Sequence, residues 1–361
     1  MADPRVTDYA RLLVDRCLDA QAGWQVLVKT SPLARPLVEE VVRSLGRRGA
    51  YPLVRLSWAE ENWPFAYTWA EEAPADAVAW QPALEATVGE QIDAWMNIGA
   101  PENVYEGADL DPEKRGALSE ANRPLLTRRL RLAIPWVACR YPTPALAQAA
   151  GMTVEQFEAF VFGACLIDWD EEGRKMQRIA DRFDAAEEVR IVGADTDIRF
   201  SLAGRHGEVD DGHYNMPGGE VFYSPVEDAT EGVVHFSEFP AVQEQDEAWG
   251  VRMVYRDGRV VEASAERGED VLFEKLDRDE GARVLGELGI GCNPGIQQHT
   301  KETLFDEKIY GTIHLAIGQG LPTIGGKNVS SVHWDMVKDL RQGGRIECDG
   351  ELVQENGEWT F

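Results

Sequence analysis

Between Tyr9 and Leu56 the apolar residues change period three times, and this alternation leaves few folds open. Tyr9, Leu12, Leu13 and Cys17 recur at helical spacing before Gly23, and Trp24 to Lys29 (WQVLVK) then reads as a strand. Leu37, Val41, Val42 and Leu45 return to helical spacing and stop at Gly46, and Tyr51 to Leu56 reads as a second strand. A strand, a helix and a strand at this length make a right-handed crossover between parallel neighbours, so the N-terminal region is expected to be α/β with a parallel sheet. Ala94 to Ile98 and Leu132 to Ala138 are the candidate further strands. Thr153 followed by Gln156 has the capping-box pattern for a helix to about Cys165, and a charged helix follows from Asp168 to Phe183.

Near Glu187 the texture changes. Residues 189 to 202 (VRIVGADTDIRFSL) alternate around Gly193 and Asp195, and Val251–Tyr255 and Val260–Ala263 flank Arg256-Asp257-Gly258-Arg259 as in a hairpin. A chain of 361 residues has room for two cores. The expected organisation is an N-terminal parallel-sheet α/β domain over 1–186, followed by a β-rich α+β domain over 187–361.

Charge narrows the function classes. Asp and Glu number 63 against 36 Lys and Arg, a formal net charge of -27, which repels a phosphate backbone and argues against nucleic-acid binding. Only eight of the basic residues are lysines, and the acid excess is spread along the whole chain. That surface suits a salt-rich cytoplasm, where screening acts over a few ångströms, and greater stability in molar KCl than in dilute buffer is expected. No apolar run is long enough to span a bilayer and the first residues lack a secretory pattern, so a cytoplasmic location without a membrane partner is expected. Five cysteines without CxxC spacing argue against a disulfide framework or a thiolate metal site.

Metal-ligating residue types gather in the second half. Glu220 follows an irregular Asn-Met-Pro-Gly-Gly loop and leads into a strand. Glu287 stands alone among glycines and apolar residues, where an unpaired charge is costly and a cation is one partner. His314 is carried by an apolar strand with Asp306 and Glu307 just upstream. His333 and Asp335 stand two apart on a strand and so share a face. Each alone has an ordinary reading as a core imidazole, a salt bridge or a turn. Together, four carboxylates and two imidazoles match the oxygen-rich set that holds a pair of borderline divalent ions.

The order of these motifs resembles the aminopeptidase T family of metallopeptidases over nearly the whole chain. YARLLVDRCLDAQAGWQVLV and PLVEEVVRSLGRRGAYPLVRL look like its opening and VRIVGADTDIRFSL like its entry into the catalytic domain. NMPGGEVFYSP, LGELGIGCNP, the Asp-Glu pair, IHLAIG and VHWD then follow in the family's order. The resemblance implies metal ligands at Glu220, Glu287, His314, His333 and Asp335, with Glu307 at the further acidic position. It also implies two divalent ions (Zn, Co or Mn), small peptide substrates and a homodimer. The expected activity is release of N-terminal amino acids by metal-activated water, with Glu287 or Glu307 as the proton carrier.

One departure concerns the family's tyrosine seven residues after the first ligand histidine, which here is Leu321; Tyr310 and Tyr223 are the phenols that could stand in. Two rival readings remain. The same superfamily includes a ring-cleaving dioxygenase of hydroxylated pyridines with one non-haem iron and a similarly terminal His-x-Asp. The other rival is a catalytically inactive metal-binding relative.

Overall fold

A parallel sheet in one unit and two largely antiparallel sheets in the other organise the chain in a computed structural model that describes residues 3–58, 63–121, 133–243 and 246–361. Contacts divide the chain into one unit of residues 1–167 with 212–217 and another of residues 168–211 with 218–361.

In the first unit, α1 (Pro4–Arg11) continues as a π-helical stretch to Cys17 and precedes β1 (Gln25–Thr30), α2 (Arg35–Arg48) and β2 (Tyr51–Leu56). β1 and β2 pair in parallel from Gln25↔Tyr51 to Thr30↔Leu56, which is the crossover unit the alternation predicts. The helix does not stop at Gly46. It runs to Arg48 and closes on Gly49, whose φ of 74° is the left-handed conformation that glycine adopts at a helix C-terminus without steric cost. β3 (Ala94–Gly99) pairs with the other side of β1, and β4 (Trp136–Arg140) follows it, again in parallel. The strand expected over Leu132–Ala138 thus begins at Trp136; Leu132 itself lies outside the described residues. The order is β2-β1-β3-β4, completed by the short strand Asn215–Met216.

The second unit opens with α3 (Trp169–Asp184), capped by the Asp168 side chain on the Asp170 and Glu171 amides. Its buried face, Met176, Ile179, Ala180 and Phe183, joins a core shared by two largely antiparallel sheets. One sheet has eight strands among the described residues and includes the expected hairpin, Val251–Arg256 with Arg259–Ser264, and the alternating stretch, which pairs Glu188–Gly193 with Thr196–Ser201. Asp257 and Gly258 take positive φ (48° and 77°), as a two-residue turn between such strands requires. The other sheet runs His333–Asp339, Thr312–Gly318, Leu285–Gly291, Glu220–Tyr223, Glu208–Asp210, and it carries the candidate site. All five cysteines are buried and outside disulfides. No helix among the described residues is long and apolar enough to cross a membrane.

Candidate metal centre

Four strands position the site: β5 (Glu220–Tyr223), β6 (Leu285–Gly291), β7 (Thr312–Gly318) and β8 (His333–Asp339). Residues opposite one another in a ladder share a face. The register sets Glu220 against Gly291, Gly289 against His314, Glu287 against Ala316, Ala316 against Asp335 and Gly318 against His333. Glu220, Glu287, His314, His333 and Asp335 therefore all stand on one face, and the positions between them on β6 and β7 are Gly289, Gly291, Ala316 and Gly318. The other face presents Leu288, Ile290, Ile313, Leu315, Ile317, Trp334 and Met336 to the core.

The small residues are a steric requirement. A Cβ built on Gly289 would fall 1.8 Å from His314 Cε1, so the imidazole lies in the space that the missing side chain leaves. A Cβ on Gly219 would meet Asn293 at 2.6 Å, and Gly219 has φ +114°, so only glycine lets the loop before β5 pack this tightly. Asn293 Nδ2 donates to the Gly218 carbonyl at 2.9 Å, and the Cys292 amide donates to the Gly219 carbonyl at 2.8 Å. These bonds fix the direction in which the chain delivers Glu220.

The side chains converge. His314 Nε2 lies 3.4 Å from Glu287 Oε1, 3.8 Å from Glu220 Oε2 and 3.8 Å from Asp335 Oδ1. His333 Nε2 lies 3.1 Å from Glu287 Oε2 and 3.7 Å from Asp335 Oδ1. Donor atoms of Glu220, Glu287 and His314 fall within 4.8 Å of one another, and so do those of Glu287, His333 and Asp335. Glu287 belongs to both sets, one oxygen toward each imidazole.

Glu307 stands apart from both donor sets. It contacts His314 through its backbone carbonyl, 3.1 Å from Nδ1, while its carboxylate Oε1 is in close contact with Lys308 Nζ. Lys308 also lies 3.1 Å from Glu220 Oε1 and is fully buried. The sequence reading missed Lys308, because a lone lysine in sequence reads as surface. Its only signal was position, directly after Glu307 in the strand approach. Asp306 is occupied elsewhere: it accepts from Thr300 and lies 3.1 Å from His299. Neither phenol replaces the tyrosine missing at Leu321. The Tyr223 hydroxyl donates to the Ala180 carbonyl or Asp184, and that of Tyr310 faces Glu358.

The arrangement fits a divalent cation on three counts. Both imidazoles face a backbone carbonyl through Nδ1, His314 that of Glu307 and His333 that of Gln319 at 2.9 Å. A carbonyl only accepts, so Nδ1 donates and the Nε2 lone pair of each neutral ring is left toward the carboxylates, as a metal-bound histidine requires. Glu220 Oε2 is buried without a hydrogen-bond partner. The charges are also unbalanced. Burial raises the Glu220 carboxyl to about 8 even beside Lys308, and it raises Glu307 as well. Burial opposes a charge on His314 and His333, yet Glu287 and Asp335 lift both to about 10; Glu287, which burial alone would raise, is brought down to about 2 by its bonds with the two rings. With protein groups alone the cluster is short of positive charge.

A profile of the thermophilic metalloprotease (M29) family matches residues 2–359. Aminopeptidase 2 of Geobacillus stearothermophilus is 28% identical over 414 residues, covering 98% of this chain and 97% of its own. Among solved structures, AmpT from Thermus thermophilus superposes with a TM-score of 0.87 at 23% identity, covering 99% of each chain. The 2,5-dihydroxypyridine dioxygenase from Pseudomonas putida KT2440 does so with a TM-score of 0.60 at 13% identity over 98% of this chain and 96% of its own. At these identities the two structural likenesses speak to the fold.

Proposed function

The chain belongs to the thermophilic metalloprotease (M29) family and is a metal-dependent peptidase of the aminopeptidase kind, and from that premise we propose that it releases N-terminal residues from small peptides with two divalent ions on the glycine-floored face. Glu220, Glu287 and His314 would hold one ion, and Glu287, His333 and Asp335 the other. Ions so held, Zn, Co or Mn, supply an acidified water and a Lewis acid for the scissile carbonyl.

The protein's own groups divide the remaining work. Glu287 has both oxygens turned to imidazoles and is poorly placed to carry a proton. Glu307 has Oε1 on Lys308 and Oε2 free of that contact, and burial raises its carboxyl above the usual carboxylate value. We assign it the proton transfer, taken up at Oε2 from the attacking water and returned to the leaving amine. The free α-amine of the substrate is anchored by Asp335, the more accessible of the ligand carboxylates, and this anchor confines cleavage to the first residue.

The observation that carries the proposal is the convergence of five donor side chains on one sheet face in a family of metalloproteases. The test is to strip the protein, reload it with Zn, Co or Mn, and assay aminoacyl-arylamides and dipeptides in high salt; release of free amino acid supports the reading. His314, His333 and Asp335 also compose a two-histidine, one-carboxylate set, which favours a mononuclear iron dioxygenase as second reading. Oxygen uptake with Fe(II) and a hydroxypyridine, with no amino acid released, would replace the first reading with the second. A metal-bound protein silent in both assays would be the inactive relative. The proposal extends to a cytoplasmic, salt-adapted homodimer, on the strength of the acidic surface and the family resemblance.

A further inference from the structure

Lys308 is out of place for a residue type that nearly always reaches solvent. Its side chain has no exposure, and no substrate can touch it. Nζ contacts Glu307 Oε1, lies 3.1 Å from Glu220 Oε1, and is near enough to feel Asp210, which stands opposite Glu220 on the neighbouring strand. The ammonium therefore touches two of the six acidic and imidazole groups that the sequence nominates for metal, and it engages the oxygen of Glu220 that does not face His314.

We infer that Lys308 is a positioning residue that sets the strength of one ion position: it holds Glu220 by Oε1, so that Oε2 alone faces His314, and it keeps Glu307 off the ions as its own counter-ion. This rests on the metal-site reading above. The physical argument is electrostatic. A fixed positive charge in contact with a ligand carboxylate repels a divalent ion bound to that carboxylate's other oxygen, and in a buried site the repulsion is weakly screened. The ion on Glu287, His333 and Asp335 is farther from this charge in the ligand chain, with no ligand bonded to Lys308. The two positions are therefore unequal, with the Glu220 ion the more weakly held. Glu307, released from ligation, is left with an oxygen for proton transfer.

The test is calorimetric titration of stripped protein with Zn, on wild type and on Lys308→Met, which keeps the stem and removes the charge. Wild type should show one tight and one weaker ion. Lys308→Met should bind the weaker ion about tenfold or more tightly, while the melting temperature of the ion-free variant drops, because the carboxylates lose their counter-ion. Opposite signs in the two readouts are what a merely structural lysine would not produce. Adding Glu307→Gln to Lys308→Met should cancel part of the gain, since the freed carboxylate is then no longer there to ligate. Unchanged or weaker binding by folded Lys308→Met would overturn the inference. If that variant does not fold, Glu307→Gln alone decides: retention of both ions supports the assignment, and loss of the weaker ion contradicts it by making Glu307 a ligand. A wild type that binds no ion at all would instead sink the metal-site reading itself.

Discussion

The two faces of the β5–β8 sheet are made by the same strands and obey opposite rules. On the core face Leu288, Ile290, Ile313, Leu315, Ile317 and Trp334 interlock with the second sheet and are fully buried. On the site face of β6 and β7 the stretches Glu287 to Gly291 and His314 to Gly318 present only donors and residues with little or no side chain. Each face also neighbours a buried lysine, and these differ in kind. Lys338, on the core side of β8, is enclosed by the carbonyls of Ala194 and His235 together with Glu238, a cage that satisfies its donors locally. Lys308 faces carboxylates that belong to the site. Stability is built on one side of the sheet and chemistry on the other, so substitutions on the two sides should separate cleanly.

The largest separation is expected from the donors. Glu220→Ala or His333→Ala should each remove the ion that the residue holds and abolish peptidase activity with it, read by metal analysis and arylamide hydrolysis, with the fold retained by circular dichroism. Full activity in either variant would break the comparison. On the core face, Leu288→Ala should cost about 2–5 kcal/mol in denaturant unfolding while leaving the ion count unchanged. Gly289→Ala sharpens the contrast, because it adds a single methyl to the site face. The methyl collides with His314, so metal affinity should fall by about 10- to 100-fold, in the range seen when the orientation of a ligand is disturbed.

The smallest effect expected is on pH dependence. His314 and His333 titrate near 10 in the ion-free fold against 6.5 unfolded, so their contribution to ion-free stability is full below 6.5 and is lost as pH rises toward 10. Metal requires the unprotonated rings. At pH 8 loading should therefore release at least two protons per chain, the two imidazole protons and a share from Glu220, measurable by calorimetry in buffers of different ionisation enthalpy, and affinity should rise with pH. Binding without proton release would contradict the raised imidazoles.

Much of this was legible from residues alone, and the reason is local. The parallel crossover, the capping box at Thr153, the Asp257-Gly258 turn and the His333-Asp335 pair each rest on spacing within a few residues. What the sequence did not reveal depends on register between strands far apart in the chain. Nothing local sets Gly289 opposite His314 or makes glycine and alanine the floor of the site, since a one-residue slip would turn those side chains to the other face. Gly46 reads as a helix stop in sequence, yet nothing lies against it, and the chain closes instead on Gly49. Lys308 was invisible because its burial is a tertiary fact, and the Gln319 carbonyl that orients His333 carries no signal in residue type.

The claim on which the rest depends is that separate strands bring five donors together on one face to hold ions. Anomalous diffraction at the zinc edge from crystals of the reloaded protein tests it most directly. The account predicts two peaks, each about 2.0–2.2 Å from its ligands, one against Glu220, Glu287 and His314 and one against Glu287, His333 and Asp335. Peaks bound elsewhere, or a Glu220 and Glu287 that share no ion with either histidine, would contradict it.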